Sequence, residues 1–493
     1  MSKTFGTAAP LGTSGEFEGK AARIVVTRLS ALDASFYSRE DSSTPMHVGS
    51  LAIIRKPRGG FTYEELLALV ESRLPQVPRY RQKVKEIGFG LARPVWLDDV
   101  DFDVTYHIRR SALPSPGSDG QLQDLVARLT SRPLDRSRPL WEMYLVEGLS
   151  KNRLAIYTKT HQALVDGQSA LELGQVMFDR TARTPDFGED IWVPGHEPST
   201  NELIAGAVSE WLARPGARLE AVRTAVADAA SLTGEIGELG ERMIKVVRTA
   251  ARGTAPRGPL NQRVSRSRRF SVVTTKLADY RRVRAKYDCD VNDVVLAVIA
   301  GALRNWLMSR GEPVTTASTI RAIVPMSVYR DGDLDVLAEG AATTEVSPFL
   351  VDLPVGEGNA VVRLSQIAHA TESHSAAFSL VDVPNMAALS GFVPPTLHAL
   401  AARVATTLPN RLFNLLVTNV PGPQAPMYLG GARLAEIYPV PPLLRNQVLS
   451  IGLTSYNGVV YYGINADRDA MPDAEMLPVL ITEALDELLE AAQ

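Results

Sequence analysis

The spacing of apolar and polar residues predicts short strands alternating with helices along most of the chain. Apolar runs at residues 51–54, 143–146 and 154–157 are typical of buried strands. Residues 63–74 repeat apolar side chains at helical spacing and predict an amphipathic helix, as does the shorter stretch 122–129. Strands and helices mixed in this way predict an α/β or α+β fold.

The second half of the chain shows the same kinds of pattern. It predicts a strand at 270–275, a helix that begins near Asp290, and a last helix at 472–491. Either Asn292 or Asp293 is expected to cap the helix near Asp290, because both side chains can accept a backbone N–H. Asn457-Gly458 predicts a tight hairpin turn. Further strands are predicted at 94–97, 102–104, 448–451 and 459–462.

A chain of 493 residues is too long for one ordinary hydrophobic core, so two lobes are expected. Residues 184–198 are rich in Pro, Gly and Asp, and a Ser199–Glu202 capping box then begins amphipathic helices. These helices are expected to pack against the lobes, with contact to a membrane surface as the alternative. We predict a disordered arm at 1–24, an N-terminal lobe at 25–185, a helical linker at 186–262 and a C-terminal lobe at 263–493.

Composition narrows the class of protein. The net charge of −3 gives no general attraction to nucleic acid, so no nucleic-acid partner is expected. A single cysteine, Cys289, excludes an internal disulfide framework and fits a reducing compartment. No run of about 18 apolar residues occurs, so no membrane-spanning helix is predicted. We expect a cytoplasmic protein, with peripheral contact to the inner membrane or to lipid droplets if it handles lipid.

The stretch that most clearly suggests chemistry is Thr160-His161-Gln162-Ala163-Leu164-Val165-Asp166-Gly167. It follows the apolar run at 154–157 and precedes a helical pattern that includes Leu173 and Val176. Side chains at such a passage from strand to helix can converge on a cleft. The candidate catalytic residues are His161, Gln162, Asp166 and Gly167.

This stretch resembles the HHxxxDG signature of the wax ester synthase/diacylglycerol acyltransferase family, with Gln162 in place of the second His. The resemblance covers about residue 29 to the C-terminus. The chain departs from the family pattern at residues 339–344, where a Gly-Asn pair is usual. Other segments that resemble family motifs, in the family's order, are Pro139-Leu140-Trp141, Asn292-Asp293, residues 323–330 and Thr418-Asn419-Val420-Pro421-Gly422-Pro423.

The resemblance implies a fold and a reaction. Two lobes like chloramphenicol acetyltransferase, each a mixed sheet with helices, would enclose a channel with the motif at its middle. The implied reaction transfers a fatty acyl group from acyl-CoA to diacylglycerol, giving triacylglycerol, or to a long-chain alcohol, giving wax ester. Acyl-CoA is a co-substrate, and no cofactor or metal is implied. The residues that the resemblance assigns to substrate binding are Pro139, Leu140, Trp141, Asn292, Asp293, Asn419, Pro421 and Gly422; for Trp141 a packing role is the alternative.

The resemblance also implies roles for the motif residues. In the family the second His is the general base, and the Asp is mainly structural and pairs with an Arg. Asp166 is expected to do the same, and Gly167 to let the backbone approach closely. Gln162 cannot act as the base, because a carboxamide is not basic near neutral pH. If the strand continued through residue 162, His161 would point to the face opposite Gln162 and could not simply replace the base.

Three functions remain open from the sequence. The first is an acyltransferase of low or altered activity that uses His161 or a positioned water. The second is a non-catalytic protein that binds acyl-CoA or neutral lipid, and the third is a condensation-domain-like protein with a carrier-bound thioester donor. Two further features have both a chemical and a structural interpretation. His47 beside a strand could be catalytic or structural. The basic cluster could contact CoA phosphates or form a solvated turn; it consists of Arg263, Arg266, Arg268 and Arg269.

Overall fold

The fold is described from a computed structural model of the chain. The residues that the structure describes are 15–19, 21–87, 92–165, 173–185, 188, 192–205, 254–328, 345–378, 402–403, 405 and 412–493. Two of the predicted catalytic residues, Asp166 and Gly167, lie outside these residues, as do residues 206–253 of the predicted linker and the 339–344 departure.

The described residues form strands and helices in alternation, as the sequence pattern predicts. The strands are β1 (Gly15–Gly19), β2 (Ala21–Arg28), β3 (His47–Arg55), β4 (Gln82–Lys85), β5 (Val95–Asp98), β6 (Ile108–Ala112), β7 (Trp141–Leu149), β8 (Arg153–His161), β9 (Arg268–Lys276), β10 (Ile320–Val328), β11 (Glu345–Leu353), β12 (Leu415–Pro421), β13 (Tyr428–Leu429), β14 (Ala432–Val440), β15 (Leu449–Tyr456) and β16 (Val459–Asp467). The helices are α1 (Ala31–Arg39), α2 (Tyr63–Arg73), α3 (Val104–His107), α4 (Asp119–Thr130), α5 (Leu173–Val176), α6 (Leu277–Tyr287), α7 (Val291–Ser309), α8 (Ala360–Phe378) and α9 (Leu477–Ala491).

Two six-stranded mixed sheets dominate the described part of the chain. The first has the strand order β13-β14-β3-β8-β7-β6, and the second has the order β11-β10-β12-β15-β16-β9. A four-stranded sheet has the order β1-β2-β5-β4. Strand β8, which leads into the motif, lies between β3 and β7, and its last residue, His161, is the register partner of His47. The motif therefore begins at the end of a central strand.

One strand of the first sheet comes from the C-terminal part of the chain. Strand β14 pairs antiparallel with β3, from Leu434 opposite Ile54 to Val440 opposite Gly49. The predicted boundaries at 185 and 263 do not anticipate this pairing, because residues 428–440 follow the second boundary and still complete the first sheet. Local patterning cannot show it, since a buried strand has the same composition whichever sheet it joins.

Each large sheet has its own hydrophobic core, and a smaller apolar cluster joins the two lobes. This interlobe cluster contains Val48 and the motif residue Val165 from the first lobe. From the second sheet it contains Ile323, Leu350 and Leu416. It also includes Ala402, Ala405, Phe413 and Leu444. The motif therefore lies at the junction of the lobes.

Several local predictions are confirmed. The helix predicted at 63–74 is present as α2, and it begins with a capping box in which Thr62 and Glu65 bond each other's backbone N–H groups. The hairpin between β15 and β16 turns at Asn457 and Gly458, both with positive φ, as an Asn-Gly turn requires. The Ser199–Glu202 capping box is also present, and Leu203 packs with Val95 and Leu97 of the first lobe.

Three local predictions are wrong. Residues 102–104 do not form a strand, because Asp103 accepts the Thr105 N–H at 2.8 Å and begins α3. Helix α7 is capped by Asp290 rather than by Asn292 or Asp293, and the Asp293 carboxylate accepts the Asp290 N–H at 2.9 Å. The predicted disordered arm is shorter than 1–24, because β1 and β2 pair as a hairpin in which the register partners include Phe17 and Ile24.

Helix α7 is the one described helix that is long and apolar enough to cross a membrane, by length and composition. Within that helix, 72% of the apolar window is buried inside the protein. Its side chains pack mainly against α9 and α8 in the core of the second lobe. The apolar character of α7 is therefore explained by its place in the protein core.

Candidate active site

The strand that leads into the motif does not continue through residue 162. Strand β8 ends at His161, and a 3-10 turn from Gln162 to Leu164 follows. The His161 Nδ1 accepts the N–H of Ala163 at 3.0 Å, so the imidazole itself begins the turn. The alternation of faces along a strand therefore does not extend to Gln162.

His161 is fully buried, and the lone pair on its Nδ1 is already used by a hydrogen bond within its own turn. Because Nδ1 accepts a hydrogen bond, the neutral ring carries its proton on Nε2. That nitrogen lies 3.8 Å from Glu40 Oε2 and has no hydrogen-bond partner among the described residues. Burial, together with the positive charges of Arg136 and Arg403, lowers the pKa of His161 to about 3. His161 is thus a neutral, weakly basic side chain that shapes the turn.

Glu40 is held in place beside His161 by two groups of its own lobe. Arg136 donates to Glu40 Oε2 from Nη2 at 3.0 Å and from Nε at 3.2 Å. Glu40 Oε1 accepts the Met46 N–H at 3.0 Å. The guanidinium of Arg136 also lies over the ring of Tyr37, 4.3 Å from its centroid. The carboxylate is therefore already paired with a cation before any ligand enters.

Gln162 has a fixed backbone and an unpaired side chain. Its N–H donates to Met46 O at 2.9 Å, and its carbonyl accepts from Arg403 Nη1 at 2.5 Å. The side chain is fully buried, yet neither Oε1 nor Nε2 has a hydrogen-bond partner among the described residues. A buried amide without partners carries a cost in free energy that a ligand able to donate and accept would remove.

Arg403 connects the C-terminal part of the chain to this turn. Its Nη2 lies 2.7 Å from Asp33 Oδ1, and both side chains are buried. Asp33 is fixed in turn by Ser30, whose hydroxyl donates to Asp33 Oδ2 at 2.6 Å at the start of α1. The guanidinium also lies 5.1 Å from the centroid of the Phe36 ring. One side chain thus binds both α1 and the backbone of Gln162, the residue that the resemblance assigns to the position of the general base.

Asp33, Glu40 and Arg403 contribute to this site but lie outside every motif that the sequence suggested. Asp33 did carry a signal, because it is a lone carboxylate between Leu32 and Ala34 at the start of an apolar helix. A charged residue in such a position is rarely buried unless it is paired. The identity of its partner, 370 positions later, depends on the tertiary structure.

Two of the predicted substrate-binding residues meet in the second lobe. Asn419 Nδ2 donates to Asn292 Oδ1 at 3.2 Å, joining the end of β12 to the start of α7, and both side chains are partly exposed. Asp293 is instead buried and accepts the hydroxyl of Thr371 at 2.6 Å in addition to the Asp290 N–H. Burial, the largest influence, raises the pKa of the Asp293 carboxyl. Asp293 therefore has a clear structural role.

Pro421 and Gly422 continue from β12 into the loop that follows it. Both residues are partly exposed, and the Gly422 N–H donates to the hydroxyl of Ser455 at 3.3 Å. This bond fixes the loop to the end of β15. The structure thus places Asn419, Pro421 and Gly422 on one strand end, and their assignment to substrate binding remains a prediction.

The Pro139-Leu140-Trp141 segment contacts the backbone of the motif and packs in the core beside it. The Leu140 carbonyl accepts the His161 N–H at 3.0 Å. Trp141 is buried, donates from Nε1 to Tyr80 O at 2.8 Å and stacks on His107 with ring centroids 4.5 Å apart. These contacts fit the packing alternative for Trp141, and the assignment of Pro139, Leu140 and Trp141 to substrate binding remains a prediction.

His47 and the basic cluster both have structural contacts. His47 is buried, and its Nε2 donates to Thr130 O at 2.9 Å. In the cluster, Arg268 is buried and donates to the Ser43 and Ser265 carbonyls, and Arg269 pairs with Glu475. Of the four arginines, Arg263 and Arg266 are the exposed ones. Only these two could make the predicted contact with CoA phosphates without giving up a protein partner that the structure records.

Comparison with known sequences agrees with this architecture. Residues 29–295 match the wax ester synthase/diacylglycerol acyltransferase catalytic domain, and residues 344–489 match the WS/DGAT C-terminal domain. The chain belongs to the wax ester synthase/diacylglycerol acyltransferase family. Within that family it is 32% identical over 469 residues to the probable diacylglycerol O-acyltransferase tgs1 of Mycobacterium tuberculosis, covering 94% of this chain and 96% of tgs1.

Two further similarities refine the comparison within the family. The chain is 63% identical over 266 residues to the probable diacylglycerol O-acyltransferase tgs3 of Mycobacterium tuberculosis, which covers 54% of this chain and 98% of tgs3. The solved wax ester synthase/diacylglycerol acyltransferase from Marinobacter aquaeolei superposes with a TM-score of 0.65 at 27% identity, over 94% of this chain and 99% of that one.

The two-lobe fold extends to a second group of solved structures. The first condensation domain of the calcium-dependent antibiotic synthetase superposes with a TM-score of 0.54 at 15% identity, over 95% of this chain and 96% of that one. At that identity the similarity shows the fold alone. The predicted fold class, with two lobes that each contain a mixed sheet and helices, is confirmed.

Proposed function

We propose that this family member transfers a fatty acyl group from acyl-CoA to the hydroxyl group of a lipid, either diacylglycerol or a long-chain alcohol. Membership of the family and the names of its relatives support this reaction. The observation that carries it is the His161-Gln162 turn at the junction of the lobes, with an unpaired amide in the position of the family's base.

The reaction forms a C–O bond between the acceptor hydroxyl and the thioester carbonyl carbon, and breaks the C–S bond. The hydroxyl proton ends on the sulfur of CoA, directly or through a water. Gln162 Oε1 can accept a hydrogen bond from the attacking hydroxyl, and Nε2 can donate one to the thioester oxygen as negative charge develops there. It cannot take up the proton, so we expect slow turnover.

His161 is a poor substitute for the missing base. Its Nδ1 already accepts the Ala163 N–H, and its Nε2 carries a proton beside Glu40. A base with a pKa of about 3 also gains little from proton transfer near neutral pH. Wild-type activity is therefore expected to depend on binding, orientation and the Gln162 hydrogen bonds.

The test is release of CoA from palmitoyl-CoA with dioleoylglycerol or hexadecanol, with ester formation followed by mass spectrometry. We expect slow ester formation by the wild type and an increase of about 10²–10⁴-fold in Gln162→His, the usual contribution of general base catalysis. The variant should also gain a pH dependence in which the rate rises as the installed imidazole loses its proton. Gln162→Leu, which removes the amide without adding a base, is the matched control and should be slower than wild type.

The result decides between an acyltransferase and a non-catalytic lipid-binding protein. Ester formation by the wild type above the protein-free rate supports the enzyme. A wild type that binds palmitoyl-CoA but releases no CoA, while Gln162→His forms ester, would identify a non-catalytic lipid-binding protein that has lost its base.

We further propose that the protein contacts a membrane or lipid-droplet surface from the cytoplasm, because diacylglycerol and long-chain alcohols reside in such surfaces. Flotation of the full chain with vesicles of phosphatidylcholine and dioleoylglycerol tests this contact. Recovery of the protein with the vesicles is expected. Recovery in the soluble fraction at every vesicle concentration would contradict it.

A further inference from the structure

The described part of the motif turn lacks a general base, and this bears on the chemical class of the acceptor. The residues of that turn that carry polar side chains are His161 and Gln162. The first offers a protonated Nε2 and an occupied Nδ1, and the second offers a neutral amide. The turn can donate and accept hydrogen bonds, but it has no strong proton acceptor.

We propose that this site also acylates primary amines that carry a long alkyl chain, and that the amine is a better acceptor than the alcohol. The proposal rests on the proposed acyl transfer and concerns the acceptor of that same site. The product would be an N-alkyl fatty amide rather than an ester.

The difference between the two acceptors lies in the timing of proton removal. An alcohol oxygen that attacks a thioester without a base becomes a strongly acidic oxonium, so its proton must leave as the C–O bond forms. An amine nitrogen that attacks becomes an ammonium, which is a far weaker acid and can keep its proton until after the C–N bond has formed. Loss of the general base therefore slows alcohol transfer far more than amine transfer.

The amine reaction balances without an added base. The nitrogen lone pair forms a C–N bond to the thioester carbon, and the C–S bond breaks with its electron pair going to sulfur. One N–H proton then passes to the thiolate, giving CoA-SH and the amide. Gln162 Oε1 can accept the other N–H, and Gln162 Nε2 can donate to the carbonyl oxygen during the attack.

The charges around the turn favour the reactive form of an amine. Arg403 Nη1 donates to the Gln162 carbonyl, and Arg136 pairs with Glu40, the carboxylate beside His161. The same two cations help to keep His161 neutral. The Glu40 carboxylate lies 3.8 Å from His161 Nε2, and Arg136 already compensates its charge. A buried site with this balance disfavours an ammonium ion and favours the free amine, which is the nucleophile.

The environment of the turn also fits an alkyl chain next to the amino group. Val165 follows the turn and packs with Val48, Ile323 and Leu416 in the interlobe cluster. Gln162 lies three residues before Val165 in the chain, so we propose that an acceptor with its nitrogen at Gln162 packs its alkyl chain towards this cluster. A small hydrophilic amine would gain nothing from this packing.

The test compares hexadecylamine with hexadecanol, two acceptors of equal chain length, using palmitoyl-CoA and the full chain. Amide and ester are measured separately by mass spectrometry, and the protein-free rate of each is subtracted. We expect the wild type to form amide faster than ester. Gln162→His should raise ester formation by about 10²–10⁴-fold and amide formation by less than about tenfold. Gln162→Leu should lower amide formation without raising ester formation.

Each contrary outcome has a distinct meaning. If the wild type forms ester but no amide above the protein-free rate, the amine proposal fails and the proposed O-acyl transfer stands. If Gln162→His raises amide and ester by the same factor, the base matters equally for both acceptors and the amine proposal also fails. If the wild type forms neither product, both proposals fail.

Discussion

His161 and Gln162 are consecutive residues with opposite surroundings. His161 has a partner for one nitrogen, a carboxylate near the other and no exposed atom. Gln162 has a firmly held backbone and two buried polar atoms without partners. His161 therefore stabilises the turn, whereas the side chain of Gln162 is available to hydrogen-bond a ligand that binds there. A sequence motif alone does not separate these two roles, because a histidine can fill either one.

The role of His161 can be tested with a smaller replacement that keeps a hydrogen-bond acceptor near the position of Nδ1. In His161→Asn the side-chain oxygen can still accept the Ala163 N–H, because Asn is a good cap for a helical turn. We expect acyl-transfer activity within about tenfold of wild type. A fall of about 10²–10⁴-fold, with the fold intact by circular dichroism, would instead identify the imidazole as the general base.

Buried neutral histidines also affect stability as the pH changes. Burial, the largest influence in both cases, lowers the pKa of His107 to about 4 and that of His161 to about 3, against 6.5 for an unperturbed imidazole. Between pH 6.5 and 4 the unfolded chain therefore binds more protons than the native protein. By linkage, the free energy of unfolding rises with pH across this range and falls on acidification.

We expect His107→Phe to flatten this dependence by about one proton, or about 1.4 kcal/mol per pH unit. The phenyl ring can still stack on Trp141, although the hydrogen bond to the Trp141 carbonyl is lost. Urea unfolding at about pH 4.5 and about pH 6, both inside this range, measures the slope. An unchanged slope would show that His107 is not a buried neutral group.

At the scale of elements, strand β14 determines how the two sheets fit together. It pairs with β3 through its backbone, and it also passes close to β16 of the second sheet. A Cβ atom added at Gly463 of β16 would lie 1.7 Å from the carbonyl oxygen of Pro439 in β14. The absence of a side chain at Gly463 is therefore required by the approach of two backbones, not by its own φ and ψ.

Gly463→Ala is expected to force β14 and β16 apart and to lower the free energy of unfolding by about 1–3 kcal/mol, the usual cost of overpacking. Because β14 borders β3, we also expect lower activity. Gly59→Ala is the matched control, since a Cβ there meets no atom within 4 Å and the residue lacks a positive φ. Equal stability of the two variants in urea would contradict the proposed close contact.

At the scale of the whole molecule, arginines from the C-terminal half hold segments of the N-terminal lobe. Arg403 binds Asp33 and the Gln162 carbonyl, and Arg268 donates to the Ser43 carbonyl. Arg445 pairs with Asp41 at 3.1 Å, but this pair is exposed to solvent. The buried arginines thus join the lobes next to the motif, and their removal should matter more than that of the exposed one.

Arg403→Met should cost about 3–5 kcal/mol, because it leaves the Asp33 carboxylate buried without its cation. The double variant Arg403→Met/Asp33→Asn should recover part of that loss, which would show coupling in a double-mutant cycle. Arg445→Ala is the surface control and should cost no more than about 1 kcal/mol. Additive effects of the two buried substitutions in urea unfolding would argue against the pair.

The sequence by itself determined the alternation of strands and helices, the Ser199–Glu202 capping box, the Asn457-Gly458 turn, the two-lobe fold and the family, because these depend on local patterning and on motif order. The resemblance also assigns Gln162 to the position of the family's base, and chemistry alone excludes a carboxamide from that role. Only the tertiary structure decided that the strand stops at His161, that Ala163 occupies its Nδ1, and that Arg403 and Asp33 meet beside the turn. These facts depend on side chains brought together from distant positions, which spacing along the chain does not encode.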